Sequence, residues 1–127
     1  MCAVRVLVAD DHKPVRLSLV ALFEDEGFTV SSACGGSQAI ALLAEDEFDL
    51  IVSDLQMPEG DGYELLTYLR EHHPSLPVIL MSAETSGEAE LRARLLGASD
   101  FLAKPFDFDD LLASVEKLAP PRSSGTG

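Results

Sequence analysis

The sequence predicts an α/β domain, a parallel β-sheet with helices packed on both faces. Three observations carry that reading. Five short runs rich in β-branched and apolar residues recur along the 127-residue chain. Helical apolar patterns lie between them, and such alternation implies a parallel sheet. The first, third and fourth runs are almost continuously apolar, as strands covered on both faces are. A chain of 127 residues fits one domain and can bury a core without metal or disulfide staples.

The strands are expected at Val4 to Ala9, Phe28 to Ser32, Phe48 to Ser53, Val78 to Ser82 and Phe101 to Ala103. Between the first two, Val15, Leu19, Leu22 and Phe23 share a helical face. Pro14 suits the first turn of that helix and Gly27 stops it. Ala39, Ile40 and Leu43 mark a second helix. Asp61 and Glu64 have the spacing of a capping box before Leu65, Leu66 and Leu69. Thr85 and Glu88 have the spacing to cap a fourth helix, running to about Leu96 and ended by Gly97. Its apolar face is ragged and Gly87 falls in its first turn. Asp107 caps a fifth helix, with Leu111, Val115 and Leu118 in register. The folded unit is expected over residues 1–119, and the Pro/Ser/Gly-rich segment 120–127 reads as a disordered tail or linker stub.

Charge narrows the range of functions. Twenty-two acids against nine bases leave a formal charge of −13. Such a surface repels phosphate backbones and anionic lipid, which argues against direct nucleic-acid or membrane contact. Cys2 and Cys34 form neither a disulfide framework nor a metal cluster, and a free pair fits a reducing cytosol. Cys34 reads as a small core or loop residue. The N-terminus lacks the pattern of a signal peptide, and no apolar run reaches the length of a membrane span. A cytoplasmic location is expected.

In a doubly wound sheet, ligands sit beyond the carboxyl ends of the strands, where the strand order switches. The residues at those ends are Asp10 and Asp11, Ser53 and Asp54, Ser82, and Lys104 followed by Pro105. Three carboxylates, a hydroxyl and an ammonium are thus expected at one edge. Clustered carboxylates raise one another's pKa unless a cation intervenes. Two unit charges 4 Å apart interact by about 4 kcal/mol at an effective dielectric of 20. Hard oxygen ligands favour Mg²⁺, with Mn²⁺ tolerated, and no Cys or His pair suggests zinc. With the cation in place, a carboxylate can attack a phosphoryl group while the hydroxyl and the ammonium offset charge on the transferred oxygens.

Four segments, in order, carry a family resemblance: Val-Ala-Asp-Asp-His at residues 8–12, Asp-Leu-Gln-Met-Pro-Glu-Gly-Asp-Gly at 54–62, Met-Ser-Ala at 81–83, and Phe-Leu-Ala-Lys-Pro-Phe at 101–106. Together they resemble the receiver domains of two-component response regulators, over residues 4 to 118. The resemblance implies a flavodoxin-like five-stranded sheet of order 2-1-3-4-5. It implies that Asp54 accepts the phosphoryl group, from a histidine kinase or phosphotransfer protein, or from a small donor. Asp11 would bind the metal directly and Asp10 directly or through water, joined by Asp54 and the backbone carbonyl of Gln56. Ser82 would be the switch hydroxyl and Phe101 the switch aromatic. Lys104 would pair with the phosphoryl group, and the Lys104–Pro105 bond is expected to be cis. Gln56 and Glu84 would flank the acyl phosphate and bear on its lifetime. Self-modification of this kind is not turnover, so the chain is not expected to be an enzyme in the usual sense. It would act on a downstream protein or an output domain absent from these 127 residues, as a stand-alone regulator or as a receiver excised from a longer protein.

The same residues admit plainer roles. Asp10 and Asp11 can cap the first helix, Asp54 can be a loop carboxylate, and Ser82 a turn hydroxyl. Lys104 can be a solvated lysine, and Phe101 a core residue as well as a switch. Met57 and Pro58 shape a loop, Asp61-Gly62 reads as turn and cap, and His12, His72 and His73 are expected to be exposed. A Mg²⁺-dependent phosphatase with an Asp nucleophile would carry a second Asp two residues on, where this chain has Gln56. A flavin module would need a hydroxyl- and Gly-rich phosphate loop after the first strand, where Asp10-Asp11-His12 repels phosphate.

Overall fold

The computed structural model describes residues 4–57, 61–84 and 87–118. Among the described residues ten elements alternate: β1 (Arg5–Ala9), α1 (Lys13–Asp25), β2 (Thr29–Ala33), α2 (Gly36–Glu45), β3 (Leu50–Asp54), α3 (Gly62–His72), β4 (Val78–Ser82), α4 (Glu88–Leu95), β5 (Asp100–Ala103) and α5 (Phe108–Leu118). All strand pairs are parallel, in the order β2-β1-β3-β4-β5. The predicted fold is the observed one.

Handedness decides which helix covers which face. The chain steps one way from β1 to β2 and then the other way through β3, β4 and β5. Right-handed crossovers therefore put α1 on one face and α2, α3 and α4 on the other. Strand parity supplies a core for each. Leu7, Ala9, Ile51, Val78, Leu80 and Phe101 pack with Leu43 of α2, Leu65, Leu66 and Leu69 of α3, and Ala89 and Ala93 of α4. Val6, Val8, Leu50, Val52, Ile79 and Met81 pack with Leu19 and Phe23 of α1 and Leu111 and Val115 of α5. Phe23 anchors the second core through edge-on contacts with Phe28 and Phe108, at centroid distances of 5.5 and 5.2 Å.

Several local expectations shift. β2 begins and ends one residue later than predicted, and Phe48 lies outside β3. There the Asp49 side chain accepts from the Arg5 N–H at 2.9 Å, and the Arg5 guanidinium stands 5.4 Å over the Phe48 ring. Leu22 is 40% exposed because it lies at the rim of the α1 stripe, not at its centre. Of the two alternatives for Cys34, the loop holds: it lies between β2 and α2 and is exposed. The Asp61/Glu64 capping box forms in full. Gly87 has φ +86° and sits just before α4, not inside its first turn. Thr85, Pro58, Cys2 and the tail over 120–127 lie outside the described residues.

α4 is the weakest packer. It buries only Ala89 and Ala93 and leaves Leu91 and Leu95 exposed. Polar contacts hold it on both sides. Arg92 stacks over Tyr63 of α3 at 4.0 Å. Arg94 donates to Asp100 of β5 at 3.1 Å, and the buried Ser114 hydroxyl of α5 donates to the other Asp100 oxygen at 2.5 Å.

Candidate functional site

Sheet register brings the acids together. Ala9 is paired with Ser53, so Asp10 and Asp54 lie one step further along adjacent strands. This is the point where the strand order reverses, between β1 and β3. Asp54 is in turn paired with Met81, and Ser82 with Ala103, so Ser82 and Lys104 follow on the same edge. The Lys104 N–H donates to the Ser82 carbonyl at 2.7 Å, and the Lys104–Pro105 peptide is cis.

Carboxylate oxygens of Asp10, Asp11 and Asp54 all lie within 4.8 Å of one another. Asp10 is fully buried, Asp54 is 7% exposed and Asp11 is exposed. Lys104 Nζ stands 3.4 Å from Asp10 Oδ2 and 3.5 Å from Asp54 Oδ2. The His12 N–H donates to Asp10 Oδ1 at 2.9 Å, and Arg16 Nη1 donates to the Asp10 carbonyl at 2.8 Å. Three carboxylates and one ammonium leave two formal negative charges in this cluster. That excess and an all-oxygen donor set suit one hard divalent cation.

Burial pushes the Asp54 carboxyl above its ordinary value. Lys104 pulls it down, Asp10 pushes it up, and hydrogen bonds from the Gln56 N–H and from Lys104 pull it down again. A cation beside Asp54 would hold it ionised, the state a nucleophile needs. Two further features shape the surroundings. The Ser82 hydroxyl is buried and accepts from the Glu84 N–H at 3.0 Å. A cavity of about 500 Å³ adjoins Asp11, lined by Gln56, Met57, Asp61, Tyr63 and Glu84.

Gly62 is needed where α3 meets the loop after β3. A Cβ there would lie 2.8 Å from Leu55 Cα and 2.9 Å from the Asp54 carbonyl oxygen. Its N–H donates to the Leu55 carbonyl at 2.8 Å. Sequence reading had assigned Gly62 only to a turn and cap. It missed Arg16 altogether, although a cation near the start of a helix opposes the helix dipole and is a visible signal.

The family model described as response regulator receiver domain matches residues 6–116. This chain belongs to that family. As a receiver domain it is a signalling module, and an acidic cluster of this kind fits a phosphorylation site. Among curated proteins it is 38% identical over 112 residues to the DNA-binding transcriptional regulator NtrC of Salmonella typhimurium, a match covering 88% of this chain and 24% of that protein. The receiver thus spans about a quarter of the length of the curated relatives it matches. Among solved structures it resembles the receiver domain of the Francisella response regulator 1452, with TM-score 0.85, 38% identity, and coverage of 90% of this chain and 94% of that one. It also resembles response regulator TrrA of Thermotoga maritima in complex with Mg²⁺ and BeF, with TM-score 0.82, 29% identity, and coverage of 91% and 98%.

Of the residues singled out from sequence, Asp10, Asp11, Asp54 and Lys104 meet at one point. Ser82 ends the neighbouring strand. Phe101 is buried in the opposite half of β5, against the core shared with Ala89 and Ala93 of α4. His12 and His72 are exposed, and His73 is half-buried beside Tyr68.

Proposed function

We propose that this receiver accepts a phosphoryl group on Asp54 from the phospho-histidine of a sensor kinase or phosphotransfer protein, in a Mg²⁺-dependent reaction. The observation that carries the reading is the placing of Asp54 beside Asp10 at the switch point, one step beyond the Ala9–Ser53 pair, with Lys104 bridging both. Asp10, Asp11 and Asp54 would hold Mg²⁺, with the Gln56 carbonyl as a fourth ligand. That ion would offset charge on the transferred oxygens. An all-oxygen set of this charge suits Mg²⁺, the ion we favour over Mn²⁺. TrrA, solved with Mg²⁺ and BeF, supports this choice by similarity.

An Asp54 carboxylate oxygen forms the new bond to phosphorus as the donor's nitrogen–phosphorus bond breaks, and the electron pair stays on the nitrogen. Lys104 faces the same oxygens and pairs with the phosphoryl group. Ser82 then turns its hydroxyl toward it, and the Phe101 ring follows inward, coupling the charge to α4, β5 and α5. Gln56 and Glu84, at the cavity mouth, set how readily water reaches the acyl phosphate. The phosphorylated protein acts on a partner or an output domain. The longer relatives include a regulator named for DNA binding, and the charge of −13 argues that this segment does not itself contact DNA. The chemistry is self-modification, not turnover on an external product. Residues 1–119 would form the receiver and 120–127 a linker or tail, in a reducing cytosol. Among the described residues no helix is long and apolar enough to cross a membrane.

The test is intact mass after incubation with Mg²⁺ and a small phosphodonor. One added phosphoryl group is expected on the wild type and none on Asp54→Asn. Persistence of the added mass in that variant removes Asp54 from its role.

A further inference from the structure

We propose that Arg16 is a positioning residue for the cation site, clamping the peptide between Asp10 and Asp11 so that both carboxylates stay turned toward Asp54. This rests on the reading that the cluster takes Mg²⁺. Arg16 Nη1 donates to the carbonyl oxygen of Asp10 at 2.8 Å. That oxygen belongs to the peptide plane joining the two acids. Holding the plane fixes ψ of Asp10 and φ of Asp11, the torsions that set the angle between the two side chains. The Asp10 side chain has its own restraints, the His12 N–H on one oxygen and Lys104 on the other. Asp11 is exposed, so the backbone sets the direction of its Cα–Cβ bond, from which the χ rotamers carry the carboxylate toward the cluster.

The position of Arg16 in α1 supports the assignment. The first turn of α1 contains no acid, and His12 before it makes no side-chain capping bond. Arg16 lies on the fourth residue of the helix, near the positive end of its dipole, where a cation is unfavourable. Helix stability therefore gives no reason for an arginine there. The carbonyl between the two acids does. A guanidinium reaches that carbonyl from the helix with a planar set of donors, and its aliphatic stem leaves the charge six residues away from Asp10 in sequence but against it in space.

Charge and positioning predict opposite signs, which makes the proposal testable. Arg16→Met keeps a stem of similar length and removes both charge and donor. If Arg16 acted only by its charge, removing a cation beside three carboxylates would tighten Mg²⁺ binding. If it positions the acids, binding weakens by about tenfold, as for other supports of metal ligands. The Mg²⁺ dissociation constant of the 127-residue protein is read from amide NMR shifts at constant ionic strength. Urea melts report whether each variant is folded. Arg16→Met is expected to raise the constant about tenfold, and Arg16→Lys, with its charge and a single donor nitrogen, to fall between the two. An unchanged or smaller constant in Arg16→Met overturns the proposal. Should that variant not fold, Arg16→Lys decides, and binding equal to wild type overturns it. Asp11→Ala separates the two levels of inference. If wild type binds no Mg²⁺, or Asp11→Ala binds as well as wild type, the cation site itself fails and the role of Arg16 falls with it. If wild type binds and Asp11→Ala does not, only the role of Arg16 is at stake.

Discussion

Replacing Asp54 by Asn should stabilise the protein in the absence of divalent cations, although it removes the proposed phosphorylation site. At an effective dielectric of 20, attraction between Asp54 and Lys104 at 3.5 Å is about 5 kcal/mol. Repulsion from Asp10, at no more than 4.8 Å, is at least about 3.5 kcal/mol on the same scale. Asp11 lies within the same distance, and because it is exposed its repulsion counts for about half as much, roughly 2 kcal/mol. The charge interactions nearly cancel. What remains is the cost of burying a carboxylate that is only 7% exposed, and that burial is the leading reason the Asp54 carboxyl sits above its ordinary value. Asparagine keeps the shape and an oxygen for Lys104 without the charge. A gain of about 2 kcal/mol is expected, or about 5–10 °C in Tm for a domain of this size.

The sign of the pH dependence follows from the same shift. A raised value in the folded state means that Asp54 contributes most to stability when protonated. That contribution is complete below pH 3.8 and is lost as pH rises through the raised value. The gap between variant and wild type should therefore be widest near neutral pH and close toward pH 3. Thermal melts in chelator, across that range, measure it. A variant that melts at or below wild type at pH 7, or a gap that widens toward acid, refutes the reasoning. Saturating Mg²⁺ should stabilise the wild type, by about 2.7 kcal/mol at one hundred times the dissociation constant, and leave Asp54→Asn much less changed.

Two further outcomes are expected. Asp100 lies below the ordinary carboxylate range despite its burial, because Ser114, the Phe101 N–H and Arg94 all bond its charged form. Asp100→Asn should destabilise the fold at neutral pH by about 1–3 kcal/mol in urea melts, and that loss should shrink as pH falls below 3.8, where the wild type protonates Asp100. Ser82→Ala should leave Asp54 modifiable but shrink the amide shifts that beryllofluoride induces at Phe101 and in α4. Full-sized shifts would separate the Ser82 hydroxyl from signal transmission.

Much of this protein was legible in its sequence because the signals are local or periodic. Five apolar runs alternating with helical stripes specify a doubly wound sheet, since strands buried on both faces and helices buried on one face leave different patterns. Acids, hydroxyl and lysine at strand ends could be placed on one edge once the fold was assumed. The capping box at Asp61 and Glu64 was equally visible, because both partners lie within one turn. What sequence could not supply was register and depth. Only the pairing of Ala9 with Ser53 sets Asp10 beside Asp54, and only the folded chain buries Asp10 fully while leaving Asp11 exposed. The Arg16–Asp10 hydrogen bond, the ban on a Cβ at Gly62 and the Arg94–Asp100–Ser114 contacts join segments whose approach depends on the whole fold. Periodicity records which face of an element is buried. It carries no record of which atoms meet across two elements, so the tertiary structure decided how the acids are held.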